Sequence, residues 1–320
     1  MKIFVTGAAG FIGSHLAEAL AKRGDTVIGV DNFNDYYDPG RKRRNAAAVT
    51  AHPGVTLLEA DIRDRERMFA LFEEHAFDAV AHIAAMAGVR NSVANPALYM
   101  DVNLVATQGL MDAARTFGVQ NFVFASTSSI YGDTPDIPFR ESDPCVRPPQ
   151  PYAAAKRAAE LLGYTYHQLY GLPFTATRFF TVYGPRGRPD MMPGLLAESL
   201  FYGRTIPLYE GDMRRDWTYV DDIVAGVVLA LDKPLGYEIL NLGRGAPQPL
   251  AAFIREMERV AGRRAKLEPK PKLPADVYVT YADISKARKL LGFEPKVSIP
   301  EGVERFWRWF EAEQRDLVGA

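Results

Sequence analysis

The chain has 320 residues, 48% of them hydrophobic, and a formal net charge of −1. That length supports one large domain with a smaller lobe, and the balanced charge supplies no basic field to draw in nucleic acid or anionic lipid. A single cysteine, Cys145, excludes an intramolecular disulfide and fits a reducing, cytoplasmic setting.

Lys2 to Thr6 reads as a short buried strand that runs straight into Gly7-Ala-Ala-Gly10-Phe-Ile-Gly13. These first residues lack the long apolar core and cleavage site of a signal peptide. From Ser14 to Arg23 apolar residues recur at helical spacing, Leu16 and Leu20 among them. Gly24-Asp25 ends that helix, and Thr26 to Val30 is the next strand. Strand, glycine turn, helix, strand is the context that a dinucleotide fingerprint requires. The glycines let the backbone approach a pyrophosphate at a helix N-terminus, whose dipole favours anions. Asp31, at the end of the second strand, suits two ribose hydroxyls and repels a 2′-phosphate, which favours NAD over NADP. The glycine spacing is GxxGxxG rather than GxGxxG. The run Arg41-Lys-Arg-Arg44 is able in principle to meet a phosphate, but a charge run reads first as a solvated face.

Strands and helices keep alternating. Val55 to Ala60 is a strand ending in Asp61-Ile62, Arg65 to Glu74 is helical, and Asp78 to Ile83 is a strand followed by Ala84-Ala85. Asn95-Pro96 opens a long helix from about Ala97 to Phe117, with Gly118 as its stop. Asn121 to Ser126 is strand-like, with Thr127-Ser128-Ser129 at its carboxyl end, where open parallel sheets bind ligands. A proline-rich loop from Asp133 to Gln150 leads to Pro151 and a helix from Tyr152 to about Tyr170. Pro173 to Phe180 is another strand. The alternation predicts an α/β fold, a doubly wound parallel sheet of Rossmann type, with an NAD-binding domain over residues 1–180.

Tyr152 and Lys156 stand four apart, so on a helix they share one face, one turn apart. A phenol ionises near pH 10 and is a poor base at neutral pH. A neighbouring ammonium favours the phenolate, and the pair is then able to serve as acid and base. The same spacing also fits an ordinary exposed helix turn.

After Arg178-Phe-Phe-Thr-Val-Tyr-Gly-Pro185 the rhythm changes and prolines and glycines become frequent. A smaller C-terminal substrate lobe is expected over 181–320. Glu238 to Leu242 reads as a strand returning to the sheet, within a segment near 217–245, so the two lobes interleave. Arg214-Arg215 suits a diphosphate through forked, charge-assisted hydrogen bonds, and fits surface ion pairs equally well. Leu250 to Val260 and Ile284 to Leu291 read as helices, and Phe306, Trp307, Trp309 and Phe310 as core or interface. His15, His52, His75, His82 and His167 show no metal-ligand spacing, and no metal is expected. There is no GxSxG and no histidine cue beside Cys145, which argues against acyl transfer. No apolar run approaches the ~20 residues of a membrane span.

Taken together, Gly7-x-x-Gly10-x-x-Gly13, Thr127 and Tyr152-x-x-x-Lys156 resemble the extended short-chain dehydrogenase/reductase superfamily, over essentially the whole chain. That superfamily's GxxGxxG pattern accounts for the glycine spacing. Three stretches are similar to nucleotide-sugar 4-epimerases acting on UDP-glucuronate: Asp31-Asn-Phe-Asn-Asp-Tyr-Tyr-Asp-Pro39, Ala87-Gly-Val-Arg90 and Arg178-Phe-Phe-Thr-Val-Tyr-Gly-Pro-Arg-Gly-Arg-Pro-Asp-Met191. The resemblance implies NAD-dependent inversion at C4 of a UDP-sugar through a transient 4-keto intermediate, in a homodimer packed through the helices of 97–117 and 152–170. It implies that Gly7, Gly10, Phe11, Ile12 and Gly13 line the pyrophosphate, that Asp31 and Asn32 hold the adenosine ribose, and that Asp61 and Ile62 border the adenine. Ala84, Ala85 and Asn103 would border the cofactor elsewhere. Thr127, Tyr152 and Lys156 would be catalytic, with Tyr152 and Lys156 also reaching the cofactor. Thr181 and Arg215 would meet the UDP diphosphate and Asp276 the uridine ribose. Leu273 departs from the polar or basic residue that related epimerases often carry.

Dehydratases of the superfamily carry an Asp-Glu pair directly after the catalytic threonine, and UDP-glucuronate decarboxylases a glutamate at the second of those positions. Here the two positions are Ser128 and Ser129. Hydroxyls in place of acids leave room for a substrate carboxylate, with Arg188 as its expected partner and Arg186 in reserve. Thr280 lies where family members often carry a size-limiting residue. Turnover of UDP-glucose, UDP-galactose or UDP-N-acetylglucosamine is therefore the neighbouring expectation, and a non-catalytic NAD-binding regulatory protein the distant one.

Overall fold

The computed structural model describes residues 1–271 and 277–319. Among them β1 (Lys2–Thr6) is followed by α1 (Phe11–Arg23), β2 (Thr26–Asp31), α2 (Pro39–Thr50), β3 (Val55–Glu59), α3 (Arg65–His75) and β4 (Ala79–His82). Two short helices, α4 (Val89–Ala94) and α5 (Pro96–Met100), then a π-helical turn (Asp101–Val105) and α6 (Ala106–Thr116), lead to β5 (Asn121–Thr127). A 3-10 turn (Ser128–Tyr131) and a loop precede α7 (Pro151–Tyr170) and β6 (Phe174–Phe179). The remainder runs β7 (Thr181–Tyr183), α8 (Met192–Tyr202), β8 (Thr205–Tyr209), β9 (Arg214–Arg215), β10 (Trp217–Tyr219), α9 (Val220–Leu231), β11 (Tyr237–Leu242), β12 (Gln248–Pro249), α10 (Leu250–Ala261), β13 (Lys266–Lys270), α11 (Ser285–Leu291) and α12 (Ile299–Gly319).

Seven strands form one sheet in the order β11-β6-β5-β4-β1-β2-β3, every pair parallel. The order steps one way from β1 to β3 and the other way from β4 to β11. Between β1 and β4 the connections diverge, and the crevice at their carboxyl ends is where such sheets hold ligands. The doubly wound α/β class expected from the alternation is therefore the class observed. β11 joins this sheet beside β6, although the residues between them form other strands: β7 pairs with β10, while β9 and β8 pair with β12 and β13, which follow β11.

The sheet is covered on both faces, which is why its strands carry few polar residues. Alternate residues of β5 feed opposite layers. Val123 and Ala125 pack in one cluster with Leu16 and Leu20 of α1 and Ile223 and Val227 of α9. Phe122 and Phe124 pack in the other with Phe72 of α3, Leu110 of α6 and Ala159 of α7. Each of the larger side chains, Val, Leu, Ile and Phe, is worth about 1.5–3 kcal/mol when fully buried. Phe306, Trp307 and Phe310 of α12 are buried, as the aromatic run predicts.

The long helix expected from Ala97 to Phe117 is three elements. Its π turn at Asp101–Val105 is held open from inside. Asn103, fully buried, accepts from the Met86 N–H at 2.9 Å and donates to the Met86 carbonyl at 2.8 Å. A π turn in mid-helix commonly marks a functional site, and here it clamps the loop after β4. Among the described residues no helix is long and apolar enough to cross a membrane.

Candidate active site

A cleft of about 1000 Å³ opens along the carboxyl ends of β1, β2, β4, β5 and β6 and extends to β8 and β9. Gly7, Gly10, Phe11, Ile12 and Gly13 line one end of it. Gly7 has φ +69°, and a Cβ on it would lie 2.9 Å from Ala84 Cα. A Cβ on Gly13 would lie 2.0 Å from the Gly7 carbonyl oxygen. Those two positions need glycine, and the turn they make starts α1 at Phe11 rather than at Ser14. No side chain caps that start, so the helix presents its first N–H groups bare. Asp31 is buried, and its carboxylate accepts from Phe33 N–H at 2.9 Å and Ala9 N–H at 3.2 Å. Burial nevertheless pushes its pKa up. The Asn32 amide donates to Asp61 at 2.9 Å, and Asp61, forked by Arg63, is pulled down to about 2. Ile62, Ala84 and Ala85 complete this wall. A bare helix start beside a buried acid fits a dinucleotide's diphosphate and ribose.

Two expectations at this end need correction. Asn103 does not line the cleft, because both ends of its amide are taken by Met86. Its role is to position the wall. The run at residues 41–44 is only partly a solvated face: Arg43 pairs with Glu59, but Lys42 is buried and lines the cleft. Its ammonium donates to the Asn34 carbonyl at 3.0 Å and to the Asn34 side chain at 2.8 Å, 5.0 Å above the Tyr37 ring.

Midway along the cleft, β5 and α7 bring Thr127, Ser128, Ser129, Tyr152 and Lys156 together. Pro151 and Gln150 set the start of α7, where the Gln150 side chain accepts from Ala153 N–H at 2.7 Å. Thr127 Oγ1 accepts from Ser129 N–H at 3.1 Å and donates to Ser129 Oγ at 3.1 Å. The ring of Tyr152 stands edge-on to Tyr99, centroids 6.2 Å apart. Desolvation raises the phenol's pKa, while the Thr127 hydroxyl and the Arg188 charge pull against that rise. Lys156 is buried beneath, donating to the Ala125 carbonyl at 2.7 Å with its ammonium 4.4 Å from the Phe124 ring. Burial lowers its pKa to about 7, opposed by the Glu160 carboxylate. The lysine's proton is directed at a carbonyl, and the Arg188 charge is one of the groups that favour the phenolate of Tyr152.

Beyond Tyr152 the cleft is lined by Thr181, Arg188, Arg215 and Thr280. Arg188 sits in the wall, forked onto Asp190. Arg186, the reserve, pairs with Glu18 at 2.6 Å and lies off the cleft. Of the adjacent arginines only Arg215 lines it, donating to the carbonyls of Arg214 and Tyr278 at 3.0 and 3.1 Å; Arg214 turns to Asp212. Thr280 Oγ1 accepts from Asp216 N–H at 3.1 Å. Asp276 and Leu273 lie outside the described residues. Sequence reasoning did not single out Tyr36, Arg90, Asp190 or Tyr209, all of which line the cleft. The Arg90 guanidinium stacks 4.3 Å from the Tyr209 ring. Three of the four lie inside the stretches that carry the epimerase resemblance, which was the available signal.

Residues 4–306 match the family model described as GDP-mannose 4,6 dehydratase. The chain is 46% identical over 308 residues to a UDP-glucuronate 4-epimerase of Thermodesulfobacterium geofontis, covering 95% of this chain and 94% of that one. It is similar to the crystal structure of a UDP-glucuronic acid 4-epimerase from Bacillus cereus in complex with UDP-glucuronic acid and NAD. That match has TM-score 0.91 and 33% identity, covering 98% of this chain and all of the other. A UDP-glucose 4-epimerase from Thermotoga maritima with UDP-glucose matches at TM-score 0.90 and 32% identity, with the same coverage.

Proposed function

Because the chain belongs to the GDP-mannose 4,6-dehydratase family of the short-chain dehydrogenase/reductase superfamily, we propose that it is an NAD-dependent UDP-sugar 4-epimerase converting UDP-glucuronate to UDP-galacturonate. One observation carries the choice of reaction. Thr127 and Tyr152 meet in a cleft where the two residues after the threonine, Ser128 and Ser129, are hydroxyls, and Arg188 lies in the adjoining wall. Elimination across C5 and C6 needs an acid and a base at those two positions, and hydroxyls supply neither. The same hydroxyls put no negative charge against a carboxylate on C5.

Gly7, Gly10, Phe11, Ile12, Gly13, Asp31, Asn32, Asp61, Ile62, Ala84 and Ala85 would hold NAD, with Lys156 and Tyr152 at its nicotinamide end. Bound there, NAD⁺ supplies the acceptor for hydride from C4 and, once reduced, the donor that returns it. The protein's own part is orientation and proton control. Tyr152 takes the proton of the C4 hydroxyl as a 4-keto sugar forms and gives it back after the sugar has turned. Thr127 shares that proton by hydrogen bonding. Arg188 stabilises negative charge on Tyr152 and faces the sugar carboxylate. Thr181 and Arg215, both in the lining, reach the diphosphate. No net oxidation results, so the nucleotide stays bound between turnovers.

A second reading, turnover of UDP-glucose or UDP-N-acetylglucosamine, is favoured by the small Thr280 in the lining. The test is a substrate panel of UDP-glucuronate, UDP-glucose and UDP-N-acetylglucosamine, with products resolved by NMR. Preferential conversion of the uronate supports the proposal, and preferential conversion of the neutral sugars overturns it in favour of the second reading.

The working unit is a homodimer in a reducing cytoplasm. Val105, beside α6, and Leu161 and Leu169 on α7 are exposed large apolar residues on neighbouring helices, which supports a helix-bundle interface. Sedimentation velocity tests it: Leu161→Arg should convert dimer to monomer, and a monomeric parent protein would refute it.

A further inference from the structure

Two of the three guanidinium nitrogens of Arg188, Nε and Nη2, are not open to the sugar end of the cleft. Its Nε donates to Asp190 Oδ1 at 3.0 Å and its Nη2 to Asp190 Oδ2 at 2.5 Å, a fork closed on a carboxylate. The Tyr36 hydroxyl donates to the same Oδ2 at 3.0 Å and accepts from Arg188 Nη2 at 3.2 Å. Tyr36 is itself wedged against bare backbone, since a Cβ on Gly88 would lie 2.4 Å from its hydroxyl. The ion pair is asymmetric: the Arg188 side chain is 16% exposed and that of Asp190 41%. The cation is built into the wall and the anion sits at the rim.

That asymmetry decides what a second anion does. A substrate carboxylate brought to these guanidinium donors finds them taken, and it also meets the charge of Asp190. One fork does not satisfy two carboxylates on the same donors, and two carboxylates sharing a site repel. Asp190 is the member that is able to leave, because water already reaches it, whereas Arg188 left unpaired in the wall is costly.

We propose that Asp190 is a resident carboxylate, holding the Arg188 fork until the C5 carboxylate of a bound uronate displaces it. The inference rests on the uronate reading above. A neutral sugar triggers no exchange: the pair stays closed and the C6 hydroxyl meets an already neutralised arginine. Tyr36 braces the closed state by bonding both partners. Asp190 therefore sets the threshold a uronate must exceed.

Titration calorimetry on Tyr152→Phe protein carrying its bound nucleotide tests this without turnover. UDP-glucuronate and UDP-glucose are each titrated, with Asp190 intact and with Asp190→Asn. The expected result is UDP-glucuronate binding about fivefold tighter in the Asp190→Asn background, or about 1 kcal/mol. UDP-glucose should shift by less than about twofold, because no ion pair opens for it. Tyr36→Phe, which leaves both charges and removes the brace, moves uronate affinity in the same direction by less. Weaker uronate binding with Asp190→Asn, or an equal shift for both sugars, overturns the exchange. If the Asp190-containing protein binds UDP-glucose in preference to UDP-glucuronate, the uronate reading fails and the exchange with it. If it prefers the uronate and Asp190→Asn leaves that preference unmoved, the exchange alone fails.

Discussion

The Lys156 ammonium donates to the Ala125 carbonyl at 2.7 Å, and this bond fixes where the lysine's charge lies. Ala125 precedes Thr127 by two residues on β5, so the strand that presents the Thr127 hydroxyl to the cleft also anchors the lysine from below. Lys156 is buried, over the Phe124 ring, and the countercharge acting on it is Glu160, one helical turn further along α7.

The first consequence is a pH-dependent stability. Burial brings the Lys156 ammonium to about 7, against 10.5 in an unfolded chain. Between those values the folded protein binds fewer protons than the unfolded chain, so this group's contribution to stability rises with pH across the window. At and below about pH 7 the full cost of burying the charge is present, and by about 10.5 it is gone. Lys156→Met removes the cost. In nucleotide-free protein, the variant's stability gain over the parent, read from urea midpoints, should be largest near pH 7 and shrink towards pH 10. A gain that stays flat with pH would contradict the assignment.

A second prediction separates chemistry from binding. Tyr152→Phe should lower kcat about 10²–10⁴-fold, the usual contribution of a positioned acid-base group. Calorimetric affinity for UDP-glucuronate should change little. Thr127→Val, which keeps shape and removes the hydroxyl that hydrogen-bonds along the proton path, should lower kcat by a smaller factor with KM nearly constant. A mainly KM effect in either variant would move the residue from chemistry to binding.

Beneath the site lies a fully buried ion pair. Glu160 accepts from Arg178 Nε at 2.9 Å and Nη2 at 2.8 Å, and from the Ser126 hydroxyl at 2.6 Å. Arg178 also donates to the Tyr131 hydroxyl at 2.8 Å. Removing one partner leaves the other charge buried alone, so Glu160→Gln should cost about 3–5 kcal/mol in chemical denaturation. The same change withdraws the charge that holds Lys156 up, so the lysine's proton affinity should fall further. A cost below about 1 kcal/mol would mean that Arg178 finds another route to solvent or a partner.

Much of the nucleotide end was legible in the residue order. Glycines at 7 and 13 are required by contacts of 2.9 and 2.0 Å with the backbone, and a backbone requirement leaves a mark in sequence. The parallel sheet was legible because strands buried on both faces read as apolar runs between helices. The π turn at Asp101–Val105 was not, because the amide of Asn103 that holds it reaches seventeen residues back to Met86. Lys42 was not legible for another reason: in a run of four basic residues the spacing does not say which one turns inward, and the partners that pull it in, Asn34 and the Tyr37 ring, lie in the preceding loop, whose path is set by the fold. Arg188 was legible as a candidate charge, and it lines the cleft, but its closure by Asp190 and Tyr36 is a three-body arrangement that spacing does not encode.

The most direct test of the central claim is the fate of the hydrogen on C4. UDP-glucuronate deuterated at C4 would be incubated with the protein in ordinary water and the UDP-galacturonate formed examined by NMR. The account predicts that the label stays on C4 of the product, with a primary isotope effect on turnover and no solvent hydrogen at C5. Loss of the label to water, or solvent hydrogen appearing at C5, would contradict oxidation and return at a single carbon and point instead to elimination or enolisation.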